Sequence, residues 1–596
     1  MKRLLITLVN CVIALSLAHG APAIQQQADT IDAALTSQYA AAHVTANAII
    51  NDDQFVRRAY LQITGRIPTY TEYQAFVNAV APNKRTELVR YLVNTPGYVS
   101  NLYNFWADQL RVRERLNNTN FFNGVLYIDW IKQQIANNVP YDQFVKQLLL
   151  SKGDYYNNPA TGYYERDLAM PLDNVIASCK VFLGINVTCA QCHDDPFQDW
   201  SQKQFYEFAS YFYTTTPTGR KTANPAGRDK IKEIRAEVEA LIKADPTKRG
   251  LNNQVNNFLS ATMATVIVDE NKKLALPPDY RYSDVKPGTV VDRKVLFGNS
   301  TAHVTDGDPR QPAVDWMTSK NHPTFTKNIV NRYWAMLMGR PIAPRVDDIY
   351  SDAVATPANP LLLVLEQVMK DVNYNTRDFI QIVCSTKAFQ RASYQFEPND
   401  RFVFIGPVMT RLTAEQIWDS ILSFTVDKPE YFSSTFGQQY KQVMSVNDYD
   451  AITLGDVQAK LATEREVSSK KYYGAINYKG SLLIRASEIN DQTGSNNIIS
   501  QLGRSDRELI GTSSRDGSVT QVISLVNGAL SDIATKQDGS LMTALKGKSP
   551  AERVEMVFKS IINRKPTLLE KSIFAKASDA DLVWALINTN EFRFGS

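Results

Sequence analysis

Three stretches of the chain share one local pattern, and this internal repeat constrains the fold more than any other feature of the sequence. Each is an apolar helical segment that ends in Gly-Arg or Asn-Arg, followed by a proline and a second helical segment ending in a small polar residue and an aromatic one. Glycine or asparagine suits the left-handed residue that ends a helix, and the proline then prevents continuation. The pattern predicts a helical hairpin used three times. The stretches begin RRAYLQITGRIPT, NRYWAMLMGRPIAP and VFKSIINRKPTLLE.

Helical periodicity also dominates the remaining sequence. One segment, residues 267–304, differs because its stretch TVVDRKVLFG is β-prone and is surrounded by prolines and glycines. We therefore expect a mainly α protein, with multi-helix domains, repeated helical hairpins and a small β-containing insertion. Clear helical stretches are DQFVRRAYLQIT, YDQFVKQLLL, DKIKEIRAEVEALIKAD, NPLLLVLEQVMKDV and RDFIQIVCSTKAF.

The first residues, MKRLLITLVNCVIALSLAHGAPA, have the form of a secretory signal peptide. Lys2 and Arg3 provide a positive start, an apolar run follows, and small residues near Gly20 offer a cleavage site. We expect residues 1–20 to be removed and the protein to be periplasmic or secreted. No later segment is apolar for long enough to cross a bilayer, which predicts no integral membrane span.

Composition and charge bear on which classes of binding partner can be expected. Apolar residues make up 44% of the chain and charged residues 21%, which is typical of a globular protein. The formal charge is +4, and the chain has no long Lys/Arg run and no nucleic-acid-binding motif, so we expect no nucleic-acid partner. The four cysteines that follow the predicted signal peptide are too few for a scaffold built on disulfides.

These patterns divide the chain into five predicted regions. The predicted signal peptide is followed by a lead segment and then by a first helical domain that contains a Cys-x-x-Cys-His motif. A connector with a helix and the β insertion leads to a second helical domain. The regions are 1–20, 21–50, 51–225, 226–302 and 303–596.

The motif in the first domain, within VTCAQCHDDPF, is the strongest chemical signal in the sequence. Haem c is held by thioether bonds from two cysteines, with an adjacent histidine on the iron. On one helical turn Cys189, Cys192 and His193 share a face, so both sulfurs can reach the porphyrin edge while the imidazole reaches the metal. The motif therefore predicts one covalently attached haem, with His193 as the proximal iron ligand.

Two other interpretations of the motif stay open. A disulfide between Cys189 and Cys192, or between Cys179 and Cys384, would be ordinary outside the cytoplasm. The second interpretation is a divalent metal ion, which the two motif cysteines, His193 and a nearby aspartate would bind. The aspartates available for this are Asp194, Asp195 and Asp199.

The sequence offers several side chains for the second axial position on the iron but does not choose between them. A filled sixth position favours electron transfer, whereas an open one permits peroxide or small-ligand chemistry. Aromatic residues that follow the motif would either wall a haem pocket or pack in a helical core. The candidate axial ligands are His43, His303, His322 and Met170; the aromatic residues are Phe197, Trp200, Phe205, Tyr206, Phe208, Tyr211 and Phe212.

Longer motifs give the chain a resemblance to a known group. FVRRAYLQITGRIPT and FLGINVTCAQCHDDPFQDWSQKQFYEFASYF resemble the first domain of the PSCyt/PSD-type proteins of planctomycetes and their relatives. GDPRQPAVDWMTSKNHPTFTKNIVNRYWAMLMGRPIAPRVDDIY resembles the start of their second domain, and QLGRSDRELIGTSSRDGSVTQVISLVNG a later block. Both are domains of unknown function that often accompany cytochrome c modules. The resemblance covers nearly all of the chain after residue 20.

This resemblance implies export, the two-domain layout and an association with haem or electron transfer, but no agreed reaction. Relatives usually read Cys-His-Asp-His-Pro, whereas Asp195 stands at the second histidine position here. A metal ligand in relatives would thus be missing from this chain. Many relatives also carry an N-terminal cytochrome domain, which we do not find here, so we expect any electron partner to be a separate redox or envelope protein.

Two hypotheses follow. The first is an exported protein with a single c-type haem and a role in electron transfer or an associated oxidation. The second is a non-catalytic extracytoplasmic binding or assembly protein whose Cys-x-x-Cys pair forms a structural disulfide. Neither identifies a substrate, and the sequence leaves open whether the protein is an enzyme.

Overall fold

The computed structural model confirms a mainly α fold, with 56% helix and 4% strand. It describes residues 23–595 except 117–120, 169, 218–226, 299–306, 351–358, 397–401, 431–434, 490–497, 512–514, 516 and 518. The predicted signal peptide, 1–20, and His303 lie outside the described residues. Within them, no helix combines the length and the apolar character needed to cross a membrane.

The first half of the chain forms twelve of the described helices. Helix α1 spans 23–42. The others are α2 Asp52–Thr64, α3 Tyr70–Val77, α4 Lys84–Leu92, α5 Pro96–Gln109, α6 Val125–Ala136, α7 Tyr141–Leu149, α8 Gly162–Glu165, α9 Pro171–Ser178, α10 Gln202–Phe212, α11 Arg228–Ala244 and α12 Arg249–Thr262.

The second half continues with α13 to α27, and short strands occur in both halves. The helices are α13 Gln311–Met317, α14 Phe325–Met338, α15 Pro360–Asp371, α16 Thr376–Ser385, α17 Ala414–Thr425, α18 Phe436–Met444, α19 Leu454–Ser469, α20 Ile498–Gln501, α21 Val519–Asn527, α22 Ala529–Ala534, α23 Ser540–Leu545, α24 Pro550–Ile561, α25 Leu568–Phe574, α26 Asp579–Ile587 and α27 Asn590–Arg593. The strands are β1 Gly153–Asp154, β2 Thr215–Pro217, β3 Thr265–Val268, β4 Thr410–Arg411, β5 Asn477–Tyr478, β6 Ser481–Leu482 and β7 Phe594–Gly595.

A strand is present in the predicted connector, 226–302, but it is β3 and does not include the β-prone stretch TVVDRKVLFG. Strand β3 pairs antiparallel with β1 and β2, so its partners come from the first domain. The β-prone stretch 289–298 takes part only in an isolated bridge, between Ala275 and Val290. Prolines and glycines flank it on both sides, and Gly288 and Gly298 take a positive φ, which breaks any continuous ladder.

The threefold helical hairpin is confirmed. Helices α2 and α14 end at Gly65 and Gly339, with φ of 74° and 83°, and α24 is followed by Asn563 at 54°. All three values lie in the left-handed region that ends a helix. In each case an arginine and a proline follow, as the pattern predicts.

The first and third units also repeat the same ion pair. Arg66 donates two hydrogen bonds to the carboxylate of Glu72, both of 2.8 Å, and Arg564 donates two to Glu570, of 2.9 and 2.7 Å. In both units the glutamate also accepts the backbone N–H of the threonine that caps the next helix, at 2.7 Å. This agreement in detail identifies one structural unit used twice.

The end of the second helical segment is equally regular in the three units. A threonine hydroxyl donates to the carbonyl three residues earlier at 2.7 Å in all three units, and a buried aromatic side chain follows three residues after the threonine. The threonines are Thr95, Thr386 and Thr589, and the aromatic residues are Tyr98, Phe389 and Phe592.

Two hydrophobic cores hold these elements together. The larger contains buried side chains between Ile24 and Leu461, including those around the Cys-x-x-Cys-His motif. The smaller contains side chains between Leu412 and Phe592, together with Leu61 from α2 and Ile67. Helix α2 therefore contributes to both cores.

Candidate functional site

The Cys-x-x-Cys-His motif lies on a single helical turn between α9 and α10. Helix α9 continues into a π-helical turn, Cys179–Leu183, which ends at Gly184 with a φ of 59°. The side chain of Asn186 then accepts the N–H and hydroxyl of Thr188, at 3.2 and 2.7 Å, and so starts a 3₁₀ turn, Cys189–Gln191.

One backbone carbonyl group, that of Cys189, closes this turn by binding the other two motif residues. The backbone N–H groups of Cys192 and His193 both donate to the carbonyl oxygen of Cys189, each at 3.1 Å. Cys189 is half-buried, whereas Cys192 and His193 are exposed. The predicted single turn is therefore present, and its reactive groups are accessible from solvent.

The imidazole of His193 has a defined orientation. Its Nδ1 atom lies 2.7 Å from the carbonyl oxygen of Asp194. Because a carbonyl oxygen can only accept, Nδ1 carries the proton in this contact. In the neutral ring this leaves the lone pair on Nε2, which is the form that binds a metal.

The neighbouring aspartates organise the backbone. Asp194 Oδ1 accepts the N–H of Gln202 at the start of α10, at 2.8 Å. Asp195 Oδ1 accepts the N–H groups of Phe197 and Gln198, at 2.8 and 3.2 Å, which closes a tight turn. Over the described part of the chain, no group of three or more His, Cys, Asp or Glu side chains is arranged to hold a metal ion.

Residues far along the sequence fix the loop in place. The hydroxyl oxygen of Tyr282 accepts the N–H of Asp194 at 2.7 Å. The side chain of Gln198 donates to Asp348 at 2.6 Å and accepts the indole N–H of Trp200 at 2.8 Å. Sequence reasoning missed the contacts of Tyr282 and Asp348 with this loop, since no local pattern links positions that are distant along the chain.

The aromatic residues after the motif belong mostly to the core. Trp200 and the aromatic side chains of α10 are buried, and only Phe197 is exposed, at 88%. Trp200 packs against Phe297 and Tyr350, with ring centroids 6.3 and 5.0 Å away. Of the two roles that the sequence allowed for this group, the structure favours core packing for every member except Phe197.

The candidate axial ligands occupy very different surroundings. His322 is buried against Trp316 and Phe297, and its Nδ1 accepts the N–H groups of Thr324 and Phe325. Burial lowers the pKa of His322 to about 3, so the ring is neutral. His43 is exposed just after α1, and Met170 is 49% exposed before α9.

The four described cysteines are all free thiols. Cys179 and Cys384 are fully buried, and burial raises the pKa of Cys179 to about 12 and that of Cys384 further. A thiol with a raised pKa is a poor nucleophile and a poor metal ligand at neutral pH. The reactive cysteine chemistry of the described chain therefore belongs to the exposed turn.

The fold and the site define a mainly helical protein with an accessible Cys-x-x-Cys-His turn. Residues 30–217 match the family model PSCyt2, a protein of unknown function (DUF1549), and residues 309–577 match PSD1, a protein of unknown function (DUF1553). The chain belongs to the proteins that combine these two domains. No curated protein and no solved structure matches it.

Proposed function

We propose that this is an exported protein that carries one c-type haem on the turn from Cys189 to His193. The thiols of Cys189 and Cys192 form the two thioether bonds, and His193 is the proximal iron ligand. The protein then works in electron transfer, or in an oxidation coupled to it, with a separate redox or envelope protein as its partner.

The observation that carries this proposal is the orientation of His193. A histidine that ligates a metal usually donates its other ring N–H to a carbonyl or carboxylate, which fixes the tautomer and makes the ligand more basic. The bond from His193 Nδ1 to the Asp194 carbonyl is of this kind. It leaves Nε2 as the ligating atom before any haem is bound.

The accessibility of the turn also supports attachment. The two thiols would hold the haem through thioether bonds to the carbons of its vinyl groups. These bonds need thiols that the haem can approach, and Cys192 is exposed while Cys189 is half-buried. The buried thiols of Cys179 and Cys384 do not meet this requirement.

Bound haem would supply a one-electron redox centre at the protein surface. Solvent exposure is one of the factors that set a haem potential, and an exposed edge shortens the distance to a partner. The chain would contribute the proximal ligand, a loop tied to distant positions by Tyr282 and Asp348, and the exposed apolar ring of Phe197 beside the turn.

A pyridine haemochrome spectrum separates this proposal from the structural-disulfide alternative. The full chain should be made with its own leader in cells that contain a cytochrome c maturation system. We expect haem that stays with the protein through denaturation and organic extraction, with the spectrum of a two-thioether haem. Protein without covalent haem, and with Cys189 and Cys192 joined in a disulfide, would overturn the proposal and favour a binding or assembly role.

Three variants and one matched control locate the attachment. Cys189→Ala or Cys192→Ala should leave at most one thioether and shift or abolish the haemochrome band. His193→Ala should change the spectrum of the native protein, because it removes the iron ligand. Cys384→Ala alters a cysteine away from the turn and should leave haem attachment unchanged.

A further inference from the structure

A cavity of about 760 Å³ is lined by residues of α1, α4, α15 and α16 and of the loop between α6 and α7. The residues of the Cys-x-x-Cys-His turn are not among those that line it, so it is separate from the proposed haem site. Small-molecule sites in proteins have volumes of about 300–1,000 Å³. The cavity is therefore large enough to hold a small molecule.

One face of helix α16 forms part of the cavity wall. Asp378, Gln381 and Ile382 all line the cavity, and residues three and four positions apart lie on the same side of a helix. Ile382 forms an apolar wall together with Ile24 of α1 and Val372, which follows α15. The side chain of Asp378 therefore lies on the cavity side of α16, beside an apolar surface.

The carboxylate of Asp378 accepts no hydrogen bond and makes no ion pair in the described part of the chain. The residue is half-buried, but neither of its carboxylate oxygens is among the fully buried polar atoms, so a molecule in the cavity can reach them. Burial raises the pKa of Asp378 above its ordinary value, and the charge of the adjacent Arg377 offsets only part of this effect. A cation in the cavity would supply the missing partner.

Arg377 also lines the cavity, and among the described residues it has no carboxylate as a partner. Its Nη1 atom donates to the amide oxygen of Asn94 at 3.1 Å, and its Nη2 atom donates to the carbonyl of Ala136 at 3.0 Å. Both hydrogen bonds are exposed to solvent, and both acceptors are neutral. Each Nη atom carries two N–H groups, so each keeps one for another acceptor.

The other two charged residues that line the cavity already have partners. Arg90 forms an ion pair with Glu87. Asp371 accepts amide N–H groups from Gln27 and Gln367, at 3.1 and 2.6 Å. One cation and one anion, adjacent in the sequence and not paired with each other, are thus left on the cavity wall.

We propose that this cavity binds a small zwitterion with an apolar body, which is the chemistry of a free amino acid such as leucine. The ammonium group of the ligand donates to the carboxylate of Asp378, and its carboxylate accepts N–H groups of Arg377. The apolar body packs against Ile24, Val372 and Ile382. Charge-assisted hydrogen bonds of this kind are about twice as strong as neutral ones.

The charges of the cavity favour a zwitterion over a ligand with one charge. A charged group that loses water without gaining a partner costs free energy, and a singly charged ligand would leave either Arg377 or Asp378 in that state. The four charged residues that line the cavity, two arginines and two aspartates, sum to zero. The wall as a whole therefore attracts neither a net cation nor a net anion.

Isothermal titration of the full-length protein with three matched probes tests the class of ligand. The probes are L-leucine, L-leucinamide and 4-methylpentanoate, which share one apolar body. Leucinamide lacks the carboxylate, and 4-methylpentanoate lacks the ammonium group. We expect leucine to bind at least ten-fold more tightly than either of the others. Equal binding of all three, or no binding of leucine at millimolar concentration, would overturn the proposal.

Two variants test which residue binds which end of the ligand. Asp378→Asn should weaken leucine and leucinamide at least ten-fold and leave 4-methylpentanoate unchanged, because only the first two carry the ammonium group. Arg377→Gln should weaken leucine and 4-methylpentanoate at least ten-fold and leave leucinamide unchanged. A variant that merely disturbs the fold would weaken all three ligands equally, and that result would also overturn the proposal.

Asp229→Asn is the matched control, because Asp229 lies in the first turn of α11 as Asp378 lies in the first turn of α16. Its side chain is exposed and does not line the cavity. It should leave the binding of all three probes unchanged. Leucine binding that responds to the control and not to Asp378→Asn or Arg377→Gln would show that the ligand sits elsewhere and would refute the assignment.

Discussion

The repeated Arg–Glu pair allows the effect of burial to be measured inside one protein. Glu72→Gln and Glu570→Gln are the same change at the same place in two copies of one unit. In both copies the arginine keeps a second carboxylate: Arg66 donates to Glu430 at 2.7 Å, and Arg564 donates to a glutamate of α27 at 2.9 Å. The two changes therefore differ mainly in their surroundings.

The exposure of the arginines sets the expected magnitudes. The side chain of Arg66 is 4% exposed and that of Arg564 is 30% exposed. Removing one partner from a buried ion pair costs about 3–5 kcal/mol, and we expect the lower end, about 3 kcal/mol, for Glu72→Gln because Glu430 remains. Surface pairs contribute about 0.2–1 kcal/mol, and because the Arg564–Glu570 pair is half-buried we expect the top of that range, about 1 kcal/mol, for Glu570→Gln.

Urea unfolding followed by far-UV circular dichroism measures both changes in the free energy of unfolding. Raising the salt concentration should shrink the effect of Glu570→Gln and leave that of Glu72→Gln largely intact, because buried pairs are screened less. Glu87→Gln, in an exposed pair on α4, is the control and should stay within about 0.5 kcal/mol of wild type. Equal costs at positions 72 and 570 would refute the argument that burial decides the strength of this pair.

Three further predictions concern acid stability and the motif loop. The hydrogen bonds from Arg564 hold the pKa of Glu570 at about 2, below its ordinary 4.5. The stabilisation that the Glu570 carboxylate contributes is therefore fully present above pH 4.5 and is lost as the pH falls from 4.5 to 2. In Glu570→Gln the free energy of unfolding should depend less steeply on pH over that window. The pKa of His322 is lowered from 6.5 to about 3, so the unfolded chain takes up its proton first. The free energy of unfolding should then fall by about 1.4 kcal/mol per pH unit below about pH 6 because of this residue, and less steeply in His322→Phe. Thermal unfolding at a series of pH values measures both slopes. Parallel plots of stability against pH for the two proteins would contradict this. Asp194→Ala removes the acceptor of the Gln202 N–H and should cost about 1 kcal/mol in urea unfolding while haem attachment persists; loss of attachment would assign Asp194 a larger role.

Local features of this protein could be predicted from its sequence. The repeated hairpins follow from residues that lie close together: an apolar helix, a left-handed Gly or Asn, an arginine and a proline. The Cys-x-x-Cys-His turn is local in the same sense, because its two closing hydrogen bonds span three and four residues. Such features depend on backbone preferences that neighbouring residues carry with them.

Features that join distant positions could not be predicted. Tyr282 supports the N–H of Asp194 from 88 residues away, and Gln198 reaches Asp348 across 150 residues. The β insertion was predicted within 226–302 because residues 289–298 are β-prone, but the strand of that region, β3, forms at Thr265–Val268, where partner strands from the first domain are available. Strand formation depends on the available partner more than on the residues of the strand itself.

The central claim, that the turn from Cys189 to His193 carries haem, is tested most directly by the intact mass of the purified protein. Mass spectrometry of denatured, unreduced protein should give the mass of the processed chain plus one haem, and Cys189→Ala combined with Cys192→Ala should give the chain alone. A wild-type mass equal to the bare polypeptide, or lower by the two hydrogens of one disulfide, would contradict the account.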